Sequence, residues 1–314
     1  MIRQWKTVAR IGVSTILMLG LAATVNAESV DELPQPDQMP SFLLEVPGSV
    51  SDVLIADTGS ATLYRLTVSG NRVVAKDQRY MSIGQNGAGK ERAWDRKTPL
   101  GVYFITERLD TSKLDRKYGQ AAFALDYPNA WDGYRQRTGY GIWLHGVDPG
   151  LPRRPPRDTD GCLSLPNEDL LSLAPYLQSM RTPVIVAREV HWLDPDQLEQ
   201  NRIEFRIALD MWRQSLEQQD LVAYLALYDD EFRQNGMEKS EWSAYRFGVF
   251  SARTLSGIEI SDVLLLADPE EPDLYLSRFN QVLIGSDGPV TTTKRLYWKR
   301  RPNAQWRIVS EDNG

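Results

Sequence analysis

The sequence predicts a β-rich domain over residues 50–188, followed by an α+β domain over residues 198–314. In the first segment, short apolar runs alternate with turns rich in Gly, Ser and Asn, which is typical of strands. From about Asp196 the apolar period changes from two residues to 3.6, and the helices that this predicts are followed by a series of strands. A length of 314 residues, of which 42% are hydrophobic, is sufficient for two separate cores.

The first 27 residues have the features of a secretory signal peptide. Arg3, Lys6 and Arg10 precede an uncharged apolar run over residues 11–25, which ends in small residues at Val25-Asn26-Ala27. An uncleaved membrane anchor is the alternative, but the run is short for a span of about 20 residues. No cysteine follows the signal, so the protein is not expected to be a lipoprotein. We therefore expect an exported, periplasmic protein.

Composition limits the classes of partner and cofactor. The chain has a formal net charge of −6, and loss of the three signal-peptide cations would make it about −9, which argues against a nucleic-acid partner. Two histidines and one cysteine do not provide the usual metal-ligand spacings, and no phosphate-binding Gly loop is present, so we expect neither a metal nor a cofactor. The one thiol has no disulfide partner within the chain, and an exported protein that keeps it is expected to use it.

The elements of the first domain follow a leader or linker over residues 28–49, which is rich in Pro, Asp and Glu. A helix is expected after Asn167 as N-cap, because Glu168 and Asp169 occupy its first turn and apolar residues follow. His191 lies in a predicted linker over residues 189–197, where we expect a surface or interdomain role. The predicted strands are 52–57, 61–68, 72–77, 80–84, 102–104 and 182–187.

The second domain is predicted to contain three helices and then four strands. In the first helix, residues 198–217, Ile203, Ile207 and Met211 fall on one face, with Phe205, Ala208, Trp212 and Leu216 beside them. The other predicted helices are 221–228 and 239–250, and the strands are 258–266, 274–284, 290–298 and 306–310. This order predicts helices packed on one curved antiparallel sheet.

Cys162 and His145 are the candidate catalytic pair. A thiol is a nucleophile as thiolate, so it needs a nearby base, and histidine has a suitable pKa. His145 ends the apolar run Gly141-Ile142-Trp143-Leu144, and a loop rich in Pro and Arg separates it from Cys162. Gly161 would allow the backbone to approach a substrate closely, and nearby N–H groups would receive an oxyanion. The alternative is that Cys162 is a small core residue.

These residues resemble the L,D-transpeptidases with the YkuD catalytic domain. The resemblance lies in His145-Gly146 and in Thr159-Asp160-Gly161-Cys162-Leu163. A second signature is similar to Thr98-Pro99-Leu100-Gly101, which follows Gly84-Gln85-Asn86-Gly87, and a third covers residues 126–130. The three matches occur in order between residues 50 and 188, and they imply a YkuD-like fold and a cysteine enzyme of peptidoglycan.

The resemblance also implies roles for individual residues. Cys162 would attack the carbonyl between the diamino acid and the D-alanine of a peptidoglycan stem peptide, and His145 would transfer the proton. The amides near Gly161 would bind the oxyanion, while Gly146, Thr159 and Asp160 would support the surrounding loops. The acyl group would pass to an amine, giving a cross-link or a lipoprotein attachment, or to water, giving a tripeptide.

Two positions depart from the family pattern, which often has His where this chain has Asp160 and Arg where it has Ser164. Serine does not replace an arginine that holds a carboxylate. The candidates for the missing charge and for substrate binding are Arg153, Arg154 and Arg157, with Lys90 and Arg92 as further sources of charge and Tyr127 as a further binding residue.

The second domain resembles nuclear transport factor 2-like (NTF2-like), or SnoaL-like, domains. The resemblance lies in the helix with Trp212, in Tyr224 and Tyr228, and in the ending 294–298 and 306–311. It implies a cone with a pocket, which we interpret as a binding or dimerising module for a second copy or a protein partner. The pair of domains resembles cell-shape-determining L,D-carboxypeptidases. Transpeptidase, carboxypeptidase and a non-catalytic wall-binding scaffold are therefore the three functional hypotheses.

Overall fold

The computed structural model describes Met1 and residues 38–252, 255–285 and 288–314. The signal peptide predicted for residues 1–27 lies, apart from Met1, outside the described residues. Among the residues described, no helix has both the length and the apolar character needed to cross a membrane.

The first domain is built on an eight-stranded mixed sheet and a small two-stranded sheet. Its strands are β3 (Asp52–Asp57), β4 (Thr62–Ser69), β5 (Arg72–Tyr80), β6 (Ile83–Gly84), β7 (Gly101–Arg108), β8 (Ala122–Leu125), β9 (Trp143–His145), β10 (Arg157–Thr159), β11 (Leu163–Ser164) and β12 (Pro183–Ala187). The order in the large sheet is β11-β9-β8-β7-β12-β3-β4-β5, and β6 pairs with β10. The central strands β3 and β12 run parallel and are buried along their whole length, which explains their continuous apolar sequences.

Two short helices accompany this sheet. They are α1 (Ala130–Tyr134) and α2 (Asn167–Leu173). Asn129 caps α1 through a capping box with Asp132. Helix α2 continues into a short 3-10 turn at Ala174–Tyr176, in which Pro175 occupies an early position, as expected of a residue that restarts a helix.

The second domain has three main helices against one antiparallel sheet, as predicted. The helices are α3 (Pro195–Glu217), α4 (Leu221–Ala226) and α5 (Lys239–Ala252), and the strands of the sheet are β16 (Leu255–Ala267), β17 (Leu274–Gly285), β18 (Gly288–Arg300) and β19 (Trp306–Asp312). A small hairpin, β14 (Arg233–Gln234) with β15 (Met237–Glu238), precedes α5. The sheet order is β19-β18-β17-β16, with an additional edge strand next to β16.

That edge strand comes from the segment expected to be a leader or linker. Residues Met39–Pro40 (β1) pair with Trp192–Leu193 (β13), and Leu43–Glu45 (β2) pairs with β16. The expectation of a linker over 28–49 is therefore wrong for residues 39–45. The physical reason is that the apolar side chains of Met39, Phe42, Leu43 and Leu44 are buried, which the surrounding Pro and acidic residues obscured in the sequence.

Helix α3 begins earlier than predicted and buries only part of the predicted apolar side. Its start is fixed at Asp194, whose N–H donates to the Gln197 side chain at 3.0 Å. The buried side chains include Phe205, Leu209 and Trp212, while Ile203, Ile207 and Met211 are exposed. The aromatic residues therefore determine which side of the helix faces the sheet.

The two domains share one hydrophobic core. A continuous cluster joins Ile55 and Phe104 of the first domain to Phe279 and Trp298 of the second. A second cluster, around Leu54 and Leu163, lies on the other side of the first sheet. The first sheet is therefore covered on one face by the second domain.

Candidate active site

His145 ends β9, and Cys162 directly precedes the neighbouring parallel strand β11. Ser164 is opposite His145 in the β11–β9 register, so Cys162, just before β11, lies beside Trp143. The Trp143 N–H donates to Cys162 Sγ at 3.4 Å, and Sγ donates to the Gly141 carbonyl at 3.5 Å. The nucleophile candidate is thus held by backbone groups of the segment that leads to His145.

The hydrogen bond of His145 defines its tautomer. Nδ1 lies 2.6 Å from the Gly146 carbonyl oxygen, which only accepts, so Nδ1 carries the proton. Nε2 is then unprotonated and able to act as a base. The imidazole and the Tyr118 ring are nearly perpendicular, with 5.1 Å between centroids. Ser164 Oγ donates to the same Gly146 carbonyl at 2.9 Å.

Burial keeps both members of the pair neutral. Desolvation, together with the positive charges of Arg154 and Lys117, lowers the pKa of His145 to about 4, although the hydrogen bond to the Gly146 carbonyl opposes this shift. Desolvation raises the pKa of Cys162 to about 11. The hydrogen bond from the Trp143 N–H favours the thiolate and opposes this rise. At pH 7 the resting site therefore contains a thiol and a neutral imidazole.

The turn before Cys162 is closed by Thr159. Thr159 Oγ1 accepts from the Gly161 N–H at 3.1 Å and donates to the Cys162 carbonyl at 2.7 Å. Gly161 has φ of 129°, and a Cβ there would lie 2.7 Å from the Lys97 carbonyl oxygen, so only glycine fits. The Gly161 N–H is engaged by Thr159, so the contribution of Gly161 in this structure is to the turn.

Asn167 supports the loop after His145, which differs from its expected role as N-cap. Helix α2 has Pro166 at the N-cap position, without a side-chain cap. Asn167 Oδ1 instead accepts from the N–H groups of Gln120 and Val147, at 3.1 and 3.3 Å, and Nδ2 donates to the Val147 carbonyl at 2.8 Å. A Cβ on Gly146 would lie 2.1 Å from Asn167 Oδ1, which explains the glycine. Sequence reasoning missed this clamp because its partners are 20 or more positions away.

The three loop arginines occupy different environments. Arg153 is exposed over the Tyr80 ring, 4.9 Å from its centroid, and Arg157 is exposed next to Gly87. The Arg154 side chain is only 14% exposed. Its Nη1 donates to the Asp158 carbonyl and carboxylate, at 3.1 and 3.2 Å, and its Nη2 donates to the Lys117 carbonyl at 3.2 Å. Of the three, Arg154 affects the pKa of both Cys162 and His145.

Two further candidates are structural. Tyr127 is buried, and its hydroxyl donates to the Thr138 carbonyl at 3.0 Å, which is a structural contact; its expected role in substrate binding stays a prediction. It anchors the segment that leads to Gly141. Lys90 is also buried, with Nζ 2.7 Å from Asp95 Oδ1 and 3.1 Å from the Arg92 carbonyl, so its charge is already paired.

Asp160 lies at the surface beside the site, 68% exposed. Its carboxylate is 3.9 Å from Lys117 Nζ and 3.9 Å from Arg96 Nε. Neither cation was a candidate from the sequence, because the residues lie outside the motifs. The negative charge of Asp160 contributes to the raised pKa of Cys162.

Comparison with known families gives the same two domains. Residues 51–186 match the YkuD family, described as the L,D-transpeptidase catalytic domain. Residues 51–186 thus form a YkuD-like domain. Residues 204–312 match the Cds6 C-terminal NTF2-like domain. Cys162 and His145 both lie within the YkuD-like domain.

Solved structures resemble nearly the whole chain. Bd1075 of Bdellovibrio bacteriovorus aligns with a TM-score of 0.73 at 24% identity, over 88% of this chain and 99% of that one. The helical cell shape determining protein Pgp2 of Campylobacter jejuni aligns with a TM-score of 0.70 at 24% identity, over 87% and 95%. At this identity the likeness shows a common two-domain fold. No curated protein matches the sequence.

Proposed function

We propose that this protein is a periplasmic cysteine acyltransferase of peptidoglycan. Its substrate would be a stem tetrapeptide, cleaved between the diamino acid and the terminal D-alanine. The observation that carries the proposal is the position of Cys162 Sγ beside the segment that ends in His145, whose Nε2 is free to accept a proton.

The neutral resting pair supports a general-base mechanism. As Sγ attacks the scissile carbonyl, Nε2 of His145 takes the thiol proton, and the resulting imidazolium returns it to the leaving D-alanine amine. A thioester joins the diamino acid to Cys162. An acceptor amine or water then attacks the thioester. His145 takes a proton from this second nucleophile and passes it to Sγ, which leaves as the thiol.

The main chain would stabilise the tetrahedral intermediate. Since the Gly161 N–H is bound by Thr159, we assign the oxyanion to the Cys162 N–H. One such donor typically contributes about 3 kcal/mol to the stabilisation of the transition state. The Trp143 N–H, which already points at Sγ, would stabilise the leaving thiolate.

Hydrolysis is the second candidate reaction. The two-domain fold is that of the helical cell shape determining protein Pgp2, and this likeness favours an L,D-carboxypeptidase that trims tetrapeptides to tripeptides in the control of cell shape. The NTF2-like domain would then act as a binding or dimerising module. Periplasmic export by a cleaved signal remains part of this proposal.

Mass spectrometry of a disaccharide tetrapeptide incubated with the protein, with and without an acceptor amine, separates these reactions. An exchanged or cross-linked product supports the acyltransferase, and loss of D-alanine alone supports the carboxypeptidase. Cys162→Ala should abolish either product. Without any product from the unmutated protein, the enzymatic proposal fails and the wall-binding scaffold is favoured.

A further inference from the structure

A loose charge cluster lies at the surface beside Cys162. Lys117 and Arg96 flank Asp160, each at 3.9 Å, whereas charge-assisted hydrogen bonds are typically about 2.7–2.9 Å long. The side chains of Lys117, Arg96 and Asp160 are 47%, 58% and 68% exposed. Solvated ion pairs of this kind are weak, so another anion can replace Asp160 at small cost.

Packing places this cluster at the catalytic pair. Tyr118, next to Lys117, contacts the rings of Trp143 and His145 with centroid distances of 4.8 and 5.1 Å. Arg154 supports the same segment, because its Nη2 donates to the Lys117 carbonyl at 3.2 Å. We refer to Arg96, Lys117 and Arg154 as the cationic rim.

The cationic rim has more positive charge than its neighbours neutralise. Its three cations face two carboxylates, those of Asp158 and Asp160. Nε of Arg154 is buried and has no hydrogen-bond partner, and such orphaned donors are rare in proteins. The resting thiol and imidazole add no negative charge. The site is therefore built to receive an anionic group.

We propose that the cationic rim binds a carboxylate of the acyl-donor peptide and that Asp160 occupies this position when the site is empty. This inference rests on the proposed function. A stem tetrapeptide has two such groups near its scissile bond. One is the terminal carboxylate of D-alanine, and the other is the free carboxylate of a dicarboxylic diamino acid. Both are recognised by the same chemistry, and only an experiment distinguishes them.

Calorimetric binding to the full chain with Cys162→Ala tests the proposal without turnover. The ligands are the disaccharide tetrapeptide with both carboxylates free, its terminal carboxamide, and the form amidated on the diamino acid. We expect one of the amidations to weaken binding about tenfold, and that amide identifies the group bound. Adding Lys117→Gln should remove the difference in affinity between the free and amidated ligands. Asp160→Asn should tighten binding of the ligand with both carboxylates free.

Lys113→Gln is the matched control. Lys113 is 80% exposed and pairs with Asp110 in the 3-10 turn just before Lys117, so it should leave the preference unchanged. Equal affinities for the three ligands would contradict carboxylate binding by the cationic rim. A preference for the free carboxylate that persists in Lys117→Gln would contradict it as well. Turnover by the unmutated protein is a separate result. Turnover together with equal affinities would support the enzymatic proposal and contradict carboxylate binding by the cationic rim. A carboxylate preference without turnover would support carboxylate binding by the cationic rim and contradict the enzymatic proposal.

Discussion

At the scale of single residues, the neutral state of Cys162 has a measurable consequence. Burial raises the pKa of the thiol to about 11, so between pH 7 and 10 the thiolate fraction should rise about tenfold per pH unit. We expect the rate of Cys162 alkylation by iodoacetamide to rise in parallel, without a plateau. Because Cys162 is the only cysteine in the chain, intact mass reports this rate directly.

A cysteine-containing peptide of ordinary pKa provides the comparison, and its alkylation rate should level off above about pH 8.5. A thiolate–imidazolium pair in the resting protein would instead give a high rate that is flat from pH 7 downward. That profile would contradict the neutral pair and the general-base mechanism.

Thr159 offers a second residue-scale prediction. Thr159→Val keeps the shape of the side chain but removes both hydrogen bonds that close the turn before Cys162. A displaced nucleophile costs on the order of 100-fold in rate, so kcat should fall by about that factor with a smaller change in KM. Steady-state kinetics on the tetrapeptide measure this split.

Thr159→Ser is the control, because its hydroxyl can make both bonds. It should retain kcat to within a few fold. Equal losses in the two variants would show that the methyl group, and not the hydrogen-bonded turn, is what the site requires.

At the scale of elements, α2 is joined to the loop after His145 through Asn167. Asn167→Ala removes three hydrogen bonds to Gln120 and Val147 and takes this partner from the partly buried N–H and carbonyl groups of Val147. We expect kcat to fall and the nitrogen shifts of His145 to change. Since the chain has only two histidines, and His191 is an exposed reference, NMR resolves them readily.

Glu168→Ala serves as the control in the same helix, because Glu168 is exposed and one position away. It should leave both the His145 signals and kcat unchanged. Unaltered His145 signals in Asn167→Ala would contradict the clamp.

The elements themselves were predictable where the local pattern determines them. The four strands of the NTF2-like sheet and the buried strand Pro183–Ala187 follow from apolar period and turn residues. The placement of Cys162 near His145 followed from motif spacing. The Asn167 clamp, the internal role of Tyr127 and the edge strand Leu43–Glu45 depend on contacts distant in sequence, which no local pattern encodes.

At the scale of the whole molecule, an ion pair joins the two domains at the residue that follows β8. Arg295 of β18 is bound to Asp126 and, at 2.6 and 2.8 Å, to Asp312. Asp126 also accepts from the Phe104 N–H at 2.7 Å and directly precedes Tyr127, which anchors the segment leading to Gly141. The NTF2-like domain is therefore coupled to the catalytic domain by charge as well as by the shared core.

Arg295→Met should destabilise the whole protein by roughly 3–5 kcal/mol, because it leaves Asp126 buried without its cation. Burial already raises the pKa of Asp126, and removing Arg295 would raise it further. The unfolded chain releases this proton near pH 4, while the folded variant retains it, so the deficit grows as pH rises above 4. Urea unfolding at pH 4.5 and pH 7 should show the larger loss at pH 7.

The double variant Arg295→Met/Asp126→Asn separates a buried charge from lost packing. If the uncompensated carboxylate causes the loss, the double variant should regain a large part of the stability at pH 7 and lose the pH dependence. Arg213→Met, which breaks only surface pairs with Asp210 and Glu217 on α3, should cost less than about 1 kcal/mol.

The Cys162 alkylation rate in the same variants tests the coupling between the two domains. An alkylation rate altered by Arg295→Met but not by Arg213→Met would show that the second domain positions the catalytic segment. Unchanged rates in both variants would show that the ion pair contributes to stability alone.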